Sequence, residues 1–288
     1  MTAAIRPRRS VLYMPGSNAR AMEKARNLPA DALILDLEDA VAPDAKENAR
    51  ALVCEAVKAG GFGKREVIVR INALSTAWGE ADVAAVAVAN PDAILVPKVS
   101  SASELRQVEA LLPGGNMALW GMIETPLAIF NLPQIAGAGG RLACFVMGTN
   151  DLIKEFRGVH MPERQNLVAA LSLSVAAARA FGLAAIDGVY NDIHNTDGLY
   201  LICRQGRDFG FEGKTLIHPS QIAPCNAVFA PSPQEVEGAR RIIAAFEKQE
   251  NANTGAIALD GRMVERLHAE IARRTIALAE AIAELEGK

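Results

Sequence analysis

The sequence is poor in aromatic residues and in cysteine, and it has no long apolar run. Aromatic side chains make up 5% of the 288 residues. The cysteines form no CxxC pair, which argues against a zinc or disulfide framework and favours reduced, buried thiols. No stretch reaches the ~18 apolar residues of a membrane span, and no signal peptide is evident. We therefore expect a cytoplasmic protein without a membrane partner. The cysteines are Cys54, Cys144, Cys203 and Cys225.

A strong excess of charge is also lacking. The formal net charge is −3 at pH 7, which argues against a nucleic-acid partner, because such proteins usually carry a basic patch. Half of the residues are hydrophobic, a composition typical of buried parallel strands covered by Ala-rich helices. The length suits one large α/β domain with an appendage.

Eight short apolar runs recur along the chain, each followed by a stretch of helical composition. Eight strands alternating with helices predict a closed (β/α)8 TIM barrel. A doubly wound open sheet is the alternative, but it usually has fewer strands, and the sequence lacks a Gly-rich dinucleotide turn. The predicted strands are 10–14, 32–37, 66–71, 93–96, 117–123, 144–147, 184–189 and 214–217.

The pattern changes after the eighth run. A charged helix opens at Pro233 and is predicted to reach about residue 250, and a second helix is predicted over 262–285, with no strand signal between them. We therefore predict a catalytic barrel domain over residues 1–226 and a helical extension over 227–288. Its segment 251–260 is a candidate mobile lid.

Acidic residues end two successive strands of the predicted barrel. Glu124 follows the fifth run and Asp151 the sixth, so their carboxylates should meet at the C-terminal mouth. Two bare carboxylates there would repel, and a hard cation such as Mg2+ between them is the expected resolution, with water and a chelating substrate as further ligands. The alternative is that each carboxylate caps a loop or pairs with a local cation.

A buried arginine is predicted at the same mouth. Arg70 ends the third run, beside the run that carries Asp36 and Glu38. Period-two alternation puts Asp36 and Glu38 on one face, and likewise Arg70 and Asn72. A buried arginine must be paired. We interpret Glu38 as its orienting partner and expect the guanidinium to face a substrate carboxylate or carbonyl oxygen; a structural ion pair is the alternative.

Two basic residues lie on the first predicted helix. Residues 13–18 combine a strand end, a tight turn and a helix N-cap signal, after which Arg20 and Lys24 lie one turn apart. Two cations beside a helix N-terminus favour phosphate, although the spacing is not that of a Walker motif. A solvated helix face is the alternative. Among the histidines, His218 ends a strand and has the position expected of a site residue.

Seven motifs, in order along nearly the whole chain, resemble the citrate lyase beta subunit-like family of the HpcH/HpaI aldolase superfamily, which includes malyl-CoA and citramalyl-CoA lyases. The resemblance implies a TIM barrel in which Glu124 and Asp151 bind Mg2+. It implies that Arg70 binds a 2-oxo acid. The positions that it implies for contact with a CoA thioester are Tyr13, Arg20 and Lys24. The motifs are residues 9–16, 35–39, 69–72, 97–99, 123–126, 187–190 and 217–219.

The resemblance also assigns a role to the C-terminal extension. Asp260, within residues 259–263, matches the family's catalytic aspartate, which an adjacent subunit delivers. Members of the family form trimers or hexamers, so a homotrimer or homohexamer is implied. The extension distinguishes this chain from the shorter class II hydroxy-oxo-acid aldolases of related fold.

We therefore expect a Mg2+-dependent carbon–carbon lyase. Its substrate would be a 3-hydroxyacyl-CoA such as malyl-CoA, citramalyl-CoA or a citryl thioester. Cleavage would give an acyl thioester and a 2-oxo acid, and the reverse reaction would join these two. Mg2+ and Arg70 would stabilise alkoxide character, and Asp260 would exchange a proton with the acyl carbon. The alternatives are a malyl-CoA-type thioesterase, a CoA-independent 2-oxo-acid aldolase and a non-catalytic ligand-sensing subunit.

Overall fold

The computed structural model describes residues 5–248 and 254–287, and its main feature is a closed barrel of eight parallel strands. Each strand pairs with the next along the chain, and β8 closes on β1, where Val11 pairs with Thr215. The predicted (β/α)8 barrel is confirmed. Its strands are β1 Ser10–Pro15, β2 Ala32–Asp36, β3 Glu66–Arg70, β4 Ala93–Val96, β5 Ala118–Ile123, β6 Leu142–Met147, β7 Ala184–Asp187 and β8 Gly213–Leu216.

Helices connect the strands and cover the outer face of the barrel, and residues Arg8–Phe229 form one compact unit. Within the described residues, no helix is both long and apolar enough to cross a membrane. The helices of this unit are α1 Ala19–Ala25, α2 Lys46–Ala59, α3 Gly79–Ala89, α4 Ala102–Leu111, α5 Pro126–Phe130, α6 Leu132–Ala136, α7 Thr149–Glu155, α8 Val168–Ala180, α9 Thr196–Phe209 and α10 Ile222–Phe229.

Side chains of the strands alternate between two apolar layers, as the pleat requires. One cluster, which includes the fully buried Trp120, consists of strand residues alone and fills the barrel interior. The other layer is shared between strands and helices. Asp36, Arg70 and Glu124 each follow an interior residue by two positions, so they continue the inner face. The interior therefore changes from apolar to charged at the C-terminal mouth.

The remaining described residues, from Met1–Pro7 and Ala230–Lys288, form a second compact unit. It contains α11 Pro233–Glu247, which begins at a Ser232–Glu235 capping box. An antiparallel hairpin follows, made of β9 Ala256–Leu259 and β10 Arg262–Glu265, and then α12 Arg266–Leu285.

The hairpin corrects the sequence prediction, which had no strand in this region and started the last helix at residue 262. Asp260 and Gly261, with φ of 52° and 74°, supply the two left-handed residues of a type I′ turn. The Asp-Gly dipeptide was the signal that could have predicted it. Residues 251–253 of the predicted lid lie outside the described residues, and 256–259 form a strand.

The backbone at the start of β8 lies very close to the backbone that precedes β1, and this contact predicts an effect on stability. A Cβ added at Gly213 would lie 1.8 Å from the carbonyl oxygen of Arg8 and 2.6 Å from that of Arg9. Main-chain atoms cannot relieve such a clash by changing rotamer, as a side chain could. Gly213→Ala should therefore lower the free energy of unfolding by about 1–3 kcal/mol, as measured by urea denaturation. Gly114→Ala is the matched control, since its Cβ would meet nothing within 4 Å. Equal stability of the two variants would contradict this account.

Candidate active site

Arg70 is held at the barrel mouth by Asp36, its in-register neighbour on β2. Nε and Nη2 of Arg70 each donate to a different oxygen of Asp36 at 2.6 Å. Nη1 lies 2.9 Å from Glu38 and 3.4 Å from Asp39. The bidentate edge of the guanidinium therefore faces the protein. Glu38, the predicted orienting partner, is a second contact, and the main one is Asp36, to which sequence reasoning gave no role.

Electrostatics and stacking fix this arginine further. Burial alone would raise the pKa of Asp36, but Arg70 and the N–H groups of Glu38 and Ala40 hold it below its ordinary value. The guanidinium carbon of Arg70 lies 4.8 Å from the centre of the Tyr13 ring, a cation–π contact. Burial raises the pKa of Tyr13, which keeps its phenol neutral. Tyr13 thus belongs to the Arg70 cluster, and its contact with a thioester stays a prediction.

Glu124 has a buried carboxylate whose two oxygens differ in their hydrogen bonding. Oε1 accepts a hydrogen bond of 2.7 Å from the N–H of Lys98, whereas Oε2 has no hydrogen-bond partner in the described part of the chain. Burial, together with the carboxylates of Glu38 and Asp151, raises the pKa of Glu124 to about 8. A buried polar atom without a partner requires an explanation, and a cation at Oε2 would provide one.

The backbone between β6 and α7 packs closely against this carboxylate. A Cβ at Gly148 would lie 2.4 Å from Oε2 of Glu124, so a larger residue would displace the carboxylate. Asp151 lies in the first turn of α7 and is half-buried. The described residues contain no cluster of three or more His, Cys, Asp or Glu side chains placed to hold a metal ion; the predicted site has two carboxylates, Glu124 and Asp151.

Asn72 does not share the face of Arg70. Its Nδ2 donates to the carbonyl oxygen of Leu37 at 2.9 Å and to Asp82 at 2.6 Å, and its Oδ1 accepts from Lys46 at 2.7 Å. The predicted alternation fails here because β3 ends at Arg70. Asn72 instead helps Lys46 to hold the main chain of the loop that follows β2.

Three other candidate residues are exposed on the barrel unit. Arg20 and Lys24 lie on α1, whose N-terminus is capped by Asn18. The Nδ1 atom of His218 lies 2.7 Å from the hydroxyl of Ser220 and caps a short 3-10 turn. The capping contact accounts for His218 structurally. Contact of Arg20 and Lys24 with CoA stays a prediction.

Asp260 occupies the turn of the hairpin in the second unit. It forms an ion pair of 2.9 Å with Arg241, and both side chains are more than half exposed. Its left-handed backbone favours Asp or Asn among residues with a side chain. The turn alone explains an aspartate at this position, so a catalytic role for Asp260 stays a prediction.

A closed (β/α)8 barrel with buried charged groups at its C-terminal mouth has the architecture of a TIM-barrel enzyme. The model of the HpcH/HpaI aldolase/citrate lyase family matches residues 9–219. The chain belongs to this family, which confirms the resemblance inferred from its motifs.

Several relatives match over nearly the full length. The chain is 53% identical over 277 residues to a (3S)-malyl-CoA thioesterase of Cereibacter sphaeroides (strain KD131 / KCTC 12085), with 96% of each chain covered. It is 35% identical over 284 residues to the citrate lyase subunit beta of Escherichia coli (strain K12), covering 96% of this chain and 94% of the relative. The crystal structure of CitE from Mycobacterium tuberculosis in complex with magnesium, acetoacetate and coenzyme A is 29% identical, with a TM-score of 0.78 and coverage of 97% and 100%.

The environment of Glu124 predicts how stability depends on pH. Its pKa of about 8 in the folded, metal-free protein lies above the ordinary value of 4.5. The folded state therefore retains a proton that the unfolded chain loses. The resulting stabilisation is fully present below the ordinary pKa and is lost as pH rises through about 8.

Urea denaturation in EDTA should show the free energy of unfolding of the wild type falling from pH ~5 to pH ~8. Glu124→Gln should flatten this dependence, because the amide does not titrate. Glu55→Gln, at an exposed position on α2, is the control and should keep the wild-type slope. A slope that is the same in the wild type and in Glu124→Gln would refute the assignment.

Proposed function

We propose that this protein hydrolyses the thioester of a malyl-CoA-type 3-hydroxyacyl-CoA and releases the hydroxy acid and free CoA. The observation that carries this proposal is the 53% identity to a (3S)-malyl-CoA thioesterase over 96% of both chains. The sequence alone favoured a carbon–carbon lyase and gave thioester hydrolysis as the alternative. The identity to a thioesterase reverses that order.

Mg2+ fits the site, with Glu124 and Asp151 as its protein ligands. Oε2 of Glu124 is buried and has no hydrogen-bond partner in the described structure, and burial together with two further carboxylates raises the pKa of Glu124. Carboxylate oxygens are the ligands that Mg2+ prefers, and the related CitE was crystallised with magnesium. When bound, Mg2+ supplies Lewis-acid polarisation of a substrate oxygen.

Arg70 is proposed to bind the carboxylate of the hydroxyacyl group. Its two bonds to Asp36 fix the guanidinium in place, and Nη1 makes the remaining contacts, with Glu38 and Asp39. Asp39, whose side chain is 57% exposed, lies 3.4 Å from Nη1. A substrate carboxylate can replace this loosely held acid and form a charge-assisted hydrogen bond.

The remaining proposed roles lie outside the buried cluster. Tyr13 would contact the thioester, and Arg20 and Lys24 would contact the phosphates of CoA. Asp260, supplied by an adjacent subunit of a homotrimer or homohexamer, would act as the general base. It would take a proton from water as the C–O bond forms, and return a proton to sulfur as the C–S bond breaks.

Carbon–carbon cleavage on the same site is the second candidate. The matched family and the 35% identity to citrate lyase subunit beta favour it. Metal, Arg70 and Asp260 would keep their positions, but Asp260 would exchange its proton with the acyl carbon rather than with water. The products distinguish the two reactions.

Incubation of the purified protein with Mg2+ and malyl-CoA should yield malate and CoA, without glyoxylate or acetyl-CoA, as measured by mass spectrometry. Asp260→Asn should lower turnover by ~100-fold or more, the usual scale for loss of a general base. Asparagine tolerates the left-handed turn, so the hairpin should persist. Arg241→Met, which breaks the ion pair but keeps the carboxylate, is the control and should stay active. Glyoxylate and acetyl-CoA as the products would assign the lyase reaction instead.

A further inference from the structure

We propose that Lys98, which follows β4, is a positioning residue for this site. Its main-chain N–H orients Glu124, and its ammonium group holds Glu38 against Arg70. The catalytic consequence rests on the proposed function, whereas the two positioning contacts are independent of it. Lys98 thus connects the carboxylate proposed to bind Mg2+ with the cluster proposed to bind substrate.

The backbone of Lys98 has an unusual conformation. Its φ is 54°, in the left-handed region that residues with a Cβ atom rarely adopt. Such residues are concentrated at functional sites, where surrounding contacts maintain the strain. The preceding residue, Pro97, has no N–H group. The N–H of Lys98 is therefore the first main-chain donor after β4 ends at Val96.

The left-handed conformation directs this N–H at Oε1 of Glu124, with a hydrogen bond of 2.7 Å. Oε2 of the same carboxylate then remains without a hydrogen-bond partner in the described residues. Gly148 has no side chain that would displace Oε2. One oxygen is thus fixed by the protein, and the other stays available to a cation.

The side chain of Lys98 acts on a different carboxylate. Its ammonium pairs with Oε1 of Glu38, and Nη1 of Arg70 lies 2.9 Å from Oε2 of the same residue. Glu38 is buried and lies between two cations, one for each oxygen. Arg70 has Asp36 as an independent partner. Loss of the Lys98 ammonium should therefore release Glu38 first and leave the Arg70–Asp36 pair intact.

Three substitutions separate the two contacts. Lys98→Gly removes the ammonium but keeps the N–H, and glycine adopts a positive φ without strain. Lys98→Val also removes the ammonium, but its β-branched side chain disfavours the left-handed conformation. Lys98→Arg keeps the charge. The Lys98→Gly and Lys98→Val variants thus form a matched pair that differs in the main-chain contact with Glu124. The Lys98→Gly and Lys98→Arg variants differ in the side-chain contact with Glu38.

Calorimetric titration with Mg2+ alone tests the main-chain contact. Lys98→Gly should bind Mg2+ at least as tightly as the wild type, because the N–H remains and a nearby positive charge is gone. Lys98→Val should bind Mg2+ about tenfold more weakly than Lys98→Gly, because its N–H no longer faces Glu124. Equal Mg2+ affinity of the Gly and Val variants would overturn this half of the proposal.

Kinetics with malyl-CoA and a crystal structure of Lys98→Gly test the side-chain contact. This variant should lose about tenfold or more in kcat/KM, with the Glu38 carboxylate rotated away from Arg70, and Lys98→Arg should stay within about threefold of the wild type. An unmoved Glu38 together with unchanged kcat/KM would overturn this half. If the wild type hydrolyses no thioester, the proposed function has failed, and the Mg2+ titrations and the position of Glu38 still decide the role of Lys98.

Discussion

Burial of a carboxylate costs free energy unless its charge is paired, and this constraint governs the mouth of the barrel. Glu124 is fully buried, with one oxygen fixed by the Lys98 N–H and the other without a hydrogen-bond partner in the described structure. Several local features make sense around it. Gly148 has no side chain that would displace this carboxylate, and Asp151 adds a further negative charge. A cation bound between Glu124 and Asp151 would compensate both negative charges.

A second buried carboxylate in the same barrel, that of Asp187, is fully paired with cationic side chains. Asp187, at the end of β7, lies 2.8 Å from the ammonium of Lys214 and 2.7 Å from Nη1 of Arg164. Burial alone would raise the pKa of Asp187, but these two cations hold it below its ordinary value. Within the described residues, Glu124 is buried without an ion pair of this kind, and its pKa is raised instead. The protein itself compensates the charge of Asp187, whereas the charge of Glu124 is left to a proton or to a bound cation.

Much of this arrangement could be predicted from the sequence. Short apolar runs, each followed by a helical stretch, located all eight strands, and the rule that parallel strands share a C-terminal edge brought Arg70, Glu124 and their neighbours to one mouth. The failures have local causes. Asn72 left the predicted face because its strand ends two residues earlier, and the Asp260–Gly261 hairpin was missed although its turn signal was present. The register that pairs Asp36 with Arg70 depends on strand stagger, which the sequence does not reveal.

We propose that Glu124 and Asp151 together hold Mg2+. Calorimetric titration of the metal-free protein with Mg2+, in the absence of substrate, tests it most directly. Binding should be present in the wild type and in the exposed-site control Glu55→Gln. It should be weakened by about tenfold or more in both Glu124→Gln and Asp151→Asn, because each loses one of two charged protein ligands. Unchanged Mg2+ affinity in both variants, with the fold intact by circular dichroism, would contradict the account.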